Sequence, residues 1–230
     1  MSSFELNRNL VPDSTRAFVA DWDDTVVGTM EAKMRQHIMV AREHYGIELR
    51  PEEMLKDWGR PLHELIAKWY QIDPEDDIAF QEVLSTVLSY SAQFLKQPLP
   101  YAREVFDTFK SEGIPIGVVT GSPRNDIGHD FGVVGVDPSY FDYFQTSDDT
   151  PVHKPNPLVF TPTIEWLETI GVEPSGVFYI GDTLNDFYAA SGASFQFLGV
   201  ETGSTNMPTF YEAGTLSVRA IGDLIKRRDQ

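Results

Sequence analysis

Three short apolar runs in this chain each stop abruptly on a polar residue. Ala17-Phe18-Val19-Ala20 ends at Asp21, Ile116-Gly117-Val118-Val119 at Thr120, and Val177-Phe178-Tyr179-Ile180 at Gly181-Asp182. An unbroken apolar run of ~4–8 residues with polar ends reads as a strand buried on both faces, the habit of parallel strands. Phe195 to Val200 is another such run, and Tyr143 to Thr146 a weaker one. Helical segments fall between them. Tyr101 to Glu112 follows the Pro98/Pro100 break and stops at Gly113; Ile164 to Ile170 precedes Gly171; Leu184 to Ser191 runs up to Gly192. Strands alternating with helices specify an α/β fold with a mostly parallel sheet. Chemistry in such sheets gathers beyond the carboxyl ends of the strands, where these runs end in Asp, Thr and Gly-Asp.

One stretch breaks the alternation. From Thr29 to Gln97 the pattern is helical with no convincing strand. Met30, Met34, Ile38 and Tyr45 share a helical face that reads as core packing, and Gly46 reads as a stop. Pro51 and Pro61 suit first-turn positions, and Asp73-Pro74 opens a helix whose first turn holds Glu75, Asp76 and Asp77. The expected division is therefore a core made of residues 1–28 and 98–230, with residues 29–97 as a helical insertion. Gly28 and the segment from Gln97 to Pro100 serve as linkers.

Composition narrows the function. With 35 acids against 18 bases the net charge is −17, a surface that repels nucleic acid and anionic membranes. The absence of cysteine removes disulfides, thiolate zinc sites and cysteine nucleophiles together. No apolar run approaches the ~18 residues of a membrane span, and Met1 to Pro12 carries no apolar signal segment. The expectation is a cytoplasmic monomer or homodimer acting on a small molecule, with neither nucleic acid nor membrane as partner.

The candidate chemistry sits at the strand ends. In Asp21-Trp22-Asp23-Asp24-Thr25, residues two apart in an extended segment point the same way, so Asp21 and Asp23 can face one substrate. Two neighbouring carboxylates repel, which favours a cation between them. Thr120, Gly121 and Ser122 offer a hydroxyl and backbone N–H groups to a phosphate oxygen; alone, they read as a helix cap before Pro123. Lys154, in His153-Lys154-Pro155-Asn156-Pro157, is an ammonium on a loop stiffened by prolines; a lone lysine is ordinarily solvent-exposed, and His153 reads as structural. Asp182 ends its strand and Asp186 stands one helical turn later, near the same face. Such a site suits a hard, oxygen-liganded cation such as magnesium; alone, either acid reads as a cap or a first-turn charge.

Taken together and in this order, the four pieces resemble the haloacid dehalogenase superfamily. Its motifs are Asp-x-Asp-x-Thr, Ser/Thr, Lys and Gly-Asp-x-x-x-Asp, and the resemblance spans roughly Arg16 to Gly203. It implies a Rossmann-like core with parallel strand order 5-4-1-2-3 and an inserted α-helical C1 cap. By position, Asp21 is implied as nucleophile and magnesium ligand, and Asp23 as general acid/base whose backbone carbonyl also binds metal. Thr120, Gly121 and Lys154 hold the phosphoryl group, Asp182 ligates the metal and Asp186 supports it. Phosphatases and phosphomutases of the family keep an acid where Asp23 stands. The segment Gly59-Arg60-Pro61-Leu62-His63-Glu64 resembles that of phosphoglycolate-phosphatase-like members, with Arg60 reaching a substrate's leaving group. Departures are Asp24 where the family commonly has Gly, Gly28 where it often has Asp, Pro162 as a helix interruption, and Gly128 and Gly132 in the helix after Thr120. The implied activity is hydrolysis of a small phosphomonoester through an aspartyl phosphate. A β-phosphoglucomutase-like isomerase is the first alternative, and a non-catalytic phosphometabolite-binding protein the second.

Overall fold

The computed structural model describes residues 3–58, 60, 62–128 and 130–228. The chain divides into two compact units. One runs through Gly28 and resumes at Gln97; the other is Thr29–Lys96.

The first unit is built on a six-stranded, all-parallel sheet. Its strands are β1 (Ala17–Ala20), β2 (Ile116–Val119), β3 (Tyr143–Gln145), β4 (Val177–Gly181), β5 (Gln196–Val200) and β6 (Ser217–Val218). Their order is β3-β2-β1-β4-β5-β6, which is the expected five-strand order with one short strand added at the edge. All four β1 residues are fully buried, and the run splits between two cores because successive side chains alternate faces. Phe18 and Ala20 join Trp22, Phe106, Phe109, Ile116, Val118, Phe178 and Ile180 on one side. Ala17 and Val19 join Val119, Phe160, Leu167, Val177 and Tyr179 on the other. Phe18 stacks on Phe109 with ring centroids 4.0 Å apart. This two-sided burial is why the run reads as unbroken apolar sequence.

The register places the strand ends side by side. Ala20 pairs with Val118 of β2 and with Ile180 of β4, so the residues that follow emerge along one edge. Connections leave β1 toward β2 and β3, then cross to β4 on its other side. The β1/β4 boundary is thus the point where strand order reverses, where doubly wound sheets place their ligands.

Several boundaries differ from the expectations. Val27–Gly28 pairs antiparallel with Gln97–Pro98, so both linkers are held in a short ladder. Pro162 lies in the first turn of the helix Thr161–Thr169 and starts that helix instead of interrupting it, because the first turn needs no N–H from it. After β2 the expected helix is two short ones, Arg124–Ile127 and Asp130–Val134.

The second unit contains the helices Met30–Tyr45, Pro51–Asp57, Leu62–Tyr70 and Asp77–Ser89. Its own core joins Val40, Ala41, Met54, Ile66, Trp69, Tyr70, Val83 and Val87. Gly46 ends the first helix at φ +67°, and Pro51 opens the second; Gly59 and Pro61 lie outside the described residues. Met34, Ile38 and Tyr45 pack only at the margin of this core, whereas the buried face of their helix is Gln36, His37, Val40 and Ala41. The fourth helix begins later than expected. Asp76 is its N-cap, accepting from the Ala79 N–H at 3.0 Å, while Asp73 closes a separate turn by accepting from Glu75 N–H. Among the described residues, no helix is long and apolar enough to cross a membrane.

Candidate active site

Asp21 leaves β1 with its backbone N–H donating to the Ile180 carbonyl of β4 at 2.8 Å. This ties it to the strand that delivers Asp182. The carboxylate oxygens of Asp21, Asp182 and Asp186 approach within 4.8 Å of one another, and all three residues are buried. Among the described residues no other group of three or more His, Asp or Glu is close enough to share one ion. Lys154, carried by the loop after β3 and followed by a cis peptide to Pro155, reaches into this cluster. Its Nζ donates to Asp21 Oδ1 at 2.6 Å, to Asp186 Oδ1 at 2.7 Å and to the Val119 carbonyl at 3.0 Å. The lysine that alone would read as a surface residue is therefore the hub of a buried ionic network.

Asp186 combines the two readings its sequence position allowed. Its backbone N–H and its carboxylate form a reciprocal capping box with Thr183, which starts the helix Leu184–Gly192. Its other oxygen accepts from Lys154 and from the Tyr179 hydroxyl at 3.0 Å.

The electrostatics follow from three carboxylates sharing one ammonium away from water. Burial pushes the Asp21 carboxyl up to about 8, with Asp186 and Asp23 adding to the rise and Lys154 opposing it. Asp182 is held well above the ordinary carboxylate range by burial, then by the charges of Asp186, Asp21 and Asp24. Burial works against the Lys154 charge, but Asp186 and Asp21 outweigh it and hold the ammonium well above its usual value. The cluster is short of positive charge, and its carboxylate oxygens suit a hard divalent cation.

Asp23 stands apart from the three-acid group. Its Oδ2 accepts from the Ser122 hydroxyl at 2.6 Å and lies 3.4 Å from the Thr120 hydroxyl. Thr120 is 4% exposed; its N–H donates to the Gln145 carbonyl, and its hydroxyl oxygen accepts from the Ser122 N–H at 3.0 Å. The helix-cap reading of this segment does not hold, since the N-cap of Arg124–Ile127 is Pro123 with no side-chain bond. Gly121 is exposed, and a Cβ added there would meet nothing within 4 Å. Arg60 lies in the other unit, where its Nε is 3.8 Å from Asp57 Oδ1. Asp57 also pairs with Lys68 at 2.6 Å.

Sequence reasoning missed Tyr179 and Gly203 as residues that shape this site, and named Ser122 and Gly181 without the parts they play. Ser122 holds Asp23, and Tyr179 holds Asp186. Gly181 and Gly203 make room: a Cβ at Gly181 would meet Asp186 Cγ at 2.5 Å, and one at Gly203 would meet Asp182 Oδ2 at 1.7 Å. Gly181 announces itself by preceding Asp182, but nothing local marks Gly203, which follows the far end of β5. Asp24 has φ +56°, a left-handed conformation that glycine adopts at no steric cost and that Asp tolerates better than most residues. The structure thus explains why glycine suits this position, and Asp24 does add charge beside Asp182.

A family model described as haloacid dehalogenase-like hydrolase matches residues 18–200, nearly the whole of the first unit's sheet and the insertion. The chain belongs to this family. Among its similar relatives is a phosphoglycolate phosphatase of Haemophilus influenzae, 24% identical over 199 residues that cover 82% of this chain and 87% of the relative. Another is the pyrophosphatase PpaX of Bacillus velezensis, 24% identical over 187 residues, 80% and 82% of the two chains. Solved structures share the fold. A HAD family hydrolase from Deinococcus radiodurans with bound phosphate and sodium superposes with a TM-score of 0.74 at 16% identity, covering 92% of this chain and 93% of that one. A β-phosphoglucomutase from Clostridium difficile gives a TM-score of 0.69 at 18% identity over 91% and 93%.

Proposed function

We propose that this hydrolase is a magnesium-dependent phosphatase that cleaves a small phosphomonoester through an aspartyl phosphate on Asp21. The observation that carries this reading is the Lys154 ammonium, bonded to Asp21 and Asp186 at the carboxyl ends of the central strands. The phosphatase names of the relatives support it.

In this reading an Asp21 carboxylate oxygen attacks phosphorus, and the bond from phosphorus to the ester oxygen breaks. The Asp23 carboxyl gives its proton to the leaving alkoxide. It then takes a proton from the water that attacks the phosphorus of the aspartyl phosphate, which frees inorganic phosphate and restores Asp21. Ser122 and Thr120, which bond Asp23 before substrate arrives, aim it at the leaving oxygen. Lys154, the Thr120 hydroxyl and the Gly121 N–H bind the phosphoryl oxygens, countering charge that grows in the transition state.

Asp21, Asp182 and the Asp23 carbonyl would hold the magnesium ion, with Asp186 in support. When bound, the ion polarises a phosphoryl oxygen as a Lewis acid. The buried, mutually repelling carboxylates fit such an ion because a divalent cation offsets the charge they share. Arg60 is assigned to choosing among leaving groups.

The test follows phosphate release and isomer formation together, over a panel of phosphomonoesters that includes hexose 1-phosphates with and without the matching bisphosphate. Steady magnesium-dependent phosphate release without a bisphosphate activator is the expected result. Activator-dependent isomerisation with negligible phosphate release overturns the phosphatase reading in favour of a mutase.

A further inference from the structure

The reaction just described makes no use of the residue between its two aspartates. Trp22 is fully buried, and its ring is edged by Phe131, Phe141 and Phe144 at centroid distances of 5.7, 5.9 and 5.6 Å. Any large apolar side chain would satisfy that cage. The indole differs in having a donor, and its Nε1 meets Asp130 Oδ2 at 3.0 Å. Asp130 is itself only 3% exposed and begins the short helix Asp130–Val134. Placing a carboxyl in an aromatic core is unfavourable unless a directional bond compensates it. The pair therefore adds a directional anchor to the packing that holds the indole.

The backbone of Trp22 is equally committed. Its carbonyl accepts from the N–H groups of Val26 at 2.8 Å, Val27 at 3.1 Å and Thr25 at 3.4 Å. Three N–H groups of the turn that carries Asp23 and Asp24 thus converge on this one residue, while Asp21 immediately precedes it. Other bonds also hold the turn, among them Asp24 N–H to the Val27 carbonyl at 2.6 Å and Ser122 to Asp23, but the part nearest Asp21 is anchored through Trp22.

We propose that Asp130 is a positioning residue for the reaction. Its hydrogen bond to the Trp22 indole sets the turn from Asp21 to Thr25, and so the placement of Asp21 relative to Asp23. This rests on reading those two residues as nucleophile and acid/base. Catalysis of this kind is sensitive to placement, where a 1 Å error costs about 10²-fold; a loosened but intact turn averages over smaller errors.

Three variants test it. Trp22→Phe keeps an aromatic ring in the cage and removes the donor; kcat should fall about tenfold or more, with KM changed by less than about threefold. Hydrogen exchange of the amides of Asp24 to Val27 should accelerate while those of β1 stay protected. Asp130→Asn retains an acceptor for the indole and should keep kcat within about threefold of the parent. The double variant Trp22→Phe/Asp130→Leu removes the buried carboxyl that has lost its indole bond. Its melting temperature should recover above that of Trp22→Phe while its kcat stays low. Wild-type kcat and exchange in Trp22→Phe, kcat recovering along with stability in the double variant, or Asp130→Asn as damaging as Trp22→Phe each overturn the proposal. Should the parent protein release no phosphate from any ester, the functional reading fails, and the exchange and melting comparisons still decide whether Asp130 sets the turn.

Discussion

Gly203 offers a sharp test of how tightly the acid cluster is built. A Cβ added there would lie 1.7 Å from Asp182 Oδ2, 2.5 Å from its Cγ and 2.8 Å from its Cβ, whereas real Cβ atoms keep at least 3.0 Å. The Gly203→Ala methyl must therefore displace the carboxylate oxygen by at least 1.3 Å, the difference between 3.0 and 1.7 Å. The softest way to do so is rotation of the Asp182 side chain out of its place beside Asp21 and Asp186, with a slight backbone shift because the Asp182 Cβ, at 2.8 Å, does not move on rotation. A shift of that size at a reacting centre costs about 10²-fold in rate, while overpacking a single methyl costs the fold only about 1–3 kcal/mol. Steady-state phosphate release titrated with magnesium, alongside thermal melting, separates the two effects. The expected result is a kcat lowered about 10²-fold and a half-activating magnesium concentration raised about tenfold or more, in a protein that still melts cooperatively. Gly132→Ala is the control, because a Cβ there meets nothing within 4 Å and sits in a helix; it should leave activity alone and stabilise by up to about 1 kcal/mol. Full activity and unchanged metal dependence in Gly203→Ala would refute the placement of Asp182.

Three further outcomes follow from particular side chains. Lys154→Met leaves Asp21 and Asp186 buried without their ammonium, so it should abolish turnover and destabilise the metal-free protein by about 3–5 kcal/mol in urea unfolding. His37, 6% exposed, is pushed down to about 4, chiefly by burial and then by Lys33. Its folded value lies below the unfolded one of ~6.5, so stability is complete above that value and is lost as pH falls toward 4. Urea unfolding should show about 2 kcal/mol less stability at pH 5 than at pH 7 from this group, a difference that His37→Phe should remove. Arg60→Ala should raise KM for natural phosphomonoesters about tenfold or more while changing that for a small aryl phosphate less than about threefold; equal effects on both would remove Arg60 from substrate selection.

The parts of this fold legible in the sequence are those whose physics is local. β1, β2 and β4 read as strands because both their faces are buried, and the polar residues that end them are the ones assigned to the candidate site. Helix ends and starts were legible where a proline or glycine acts at its own position, as at Gly46 and Pro51. They were misread where capping depends on which acid folds back. Asp76, not Asp73-Pro74, starts its helix, and Pro162 begins a helix it was expected to interrupt. The ladder between Val27–Gly28 and Gln97–Pro98 is too short to leave any periodic pattern. In the site, Asp21, Thr120, Lys154, Asp182 and Asp186 were legible as a set because each ends or follows a core strand. Ser122, Tyr179, Gly203 and the Trp22–Asp130 pair act through partners distant in sequence or through empty space. No residue spacing encodes either. Lys154 shows the limit most clearly: its loop position was visible, but its three buried bonds to different segments exist only once the sheet has assembled.

The central claim is covalent catalysis by Asp21, and one measurement addresses it directly. The protein is mixed with a turned-over phosphomonoester and magnesium, quenched within the first turnovers, and treated with borohydride, which reduces an acyl phosphate to the alcohol. Peptide mass spectrometry then reads residue 21. The account predicts homoserine at position 21, only when substrate is present, and more of it in Asp23→Asn, where water attack on the intermediate is slowed. Reduction at another carboxylate, or none at position 21 while phosphate is released at the full rate, would contradict it.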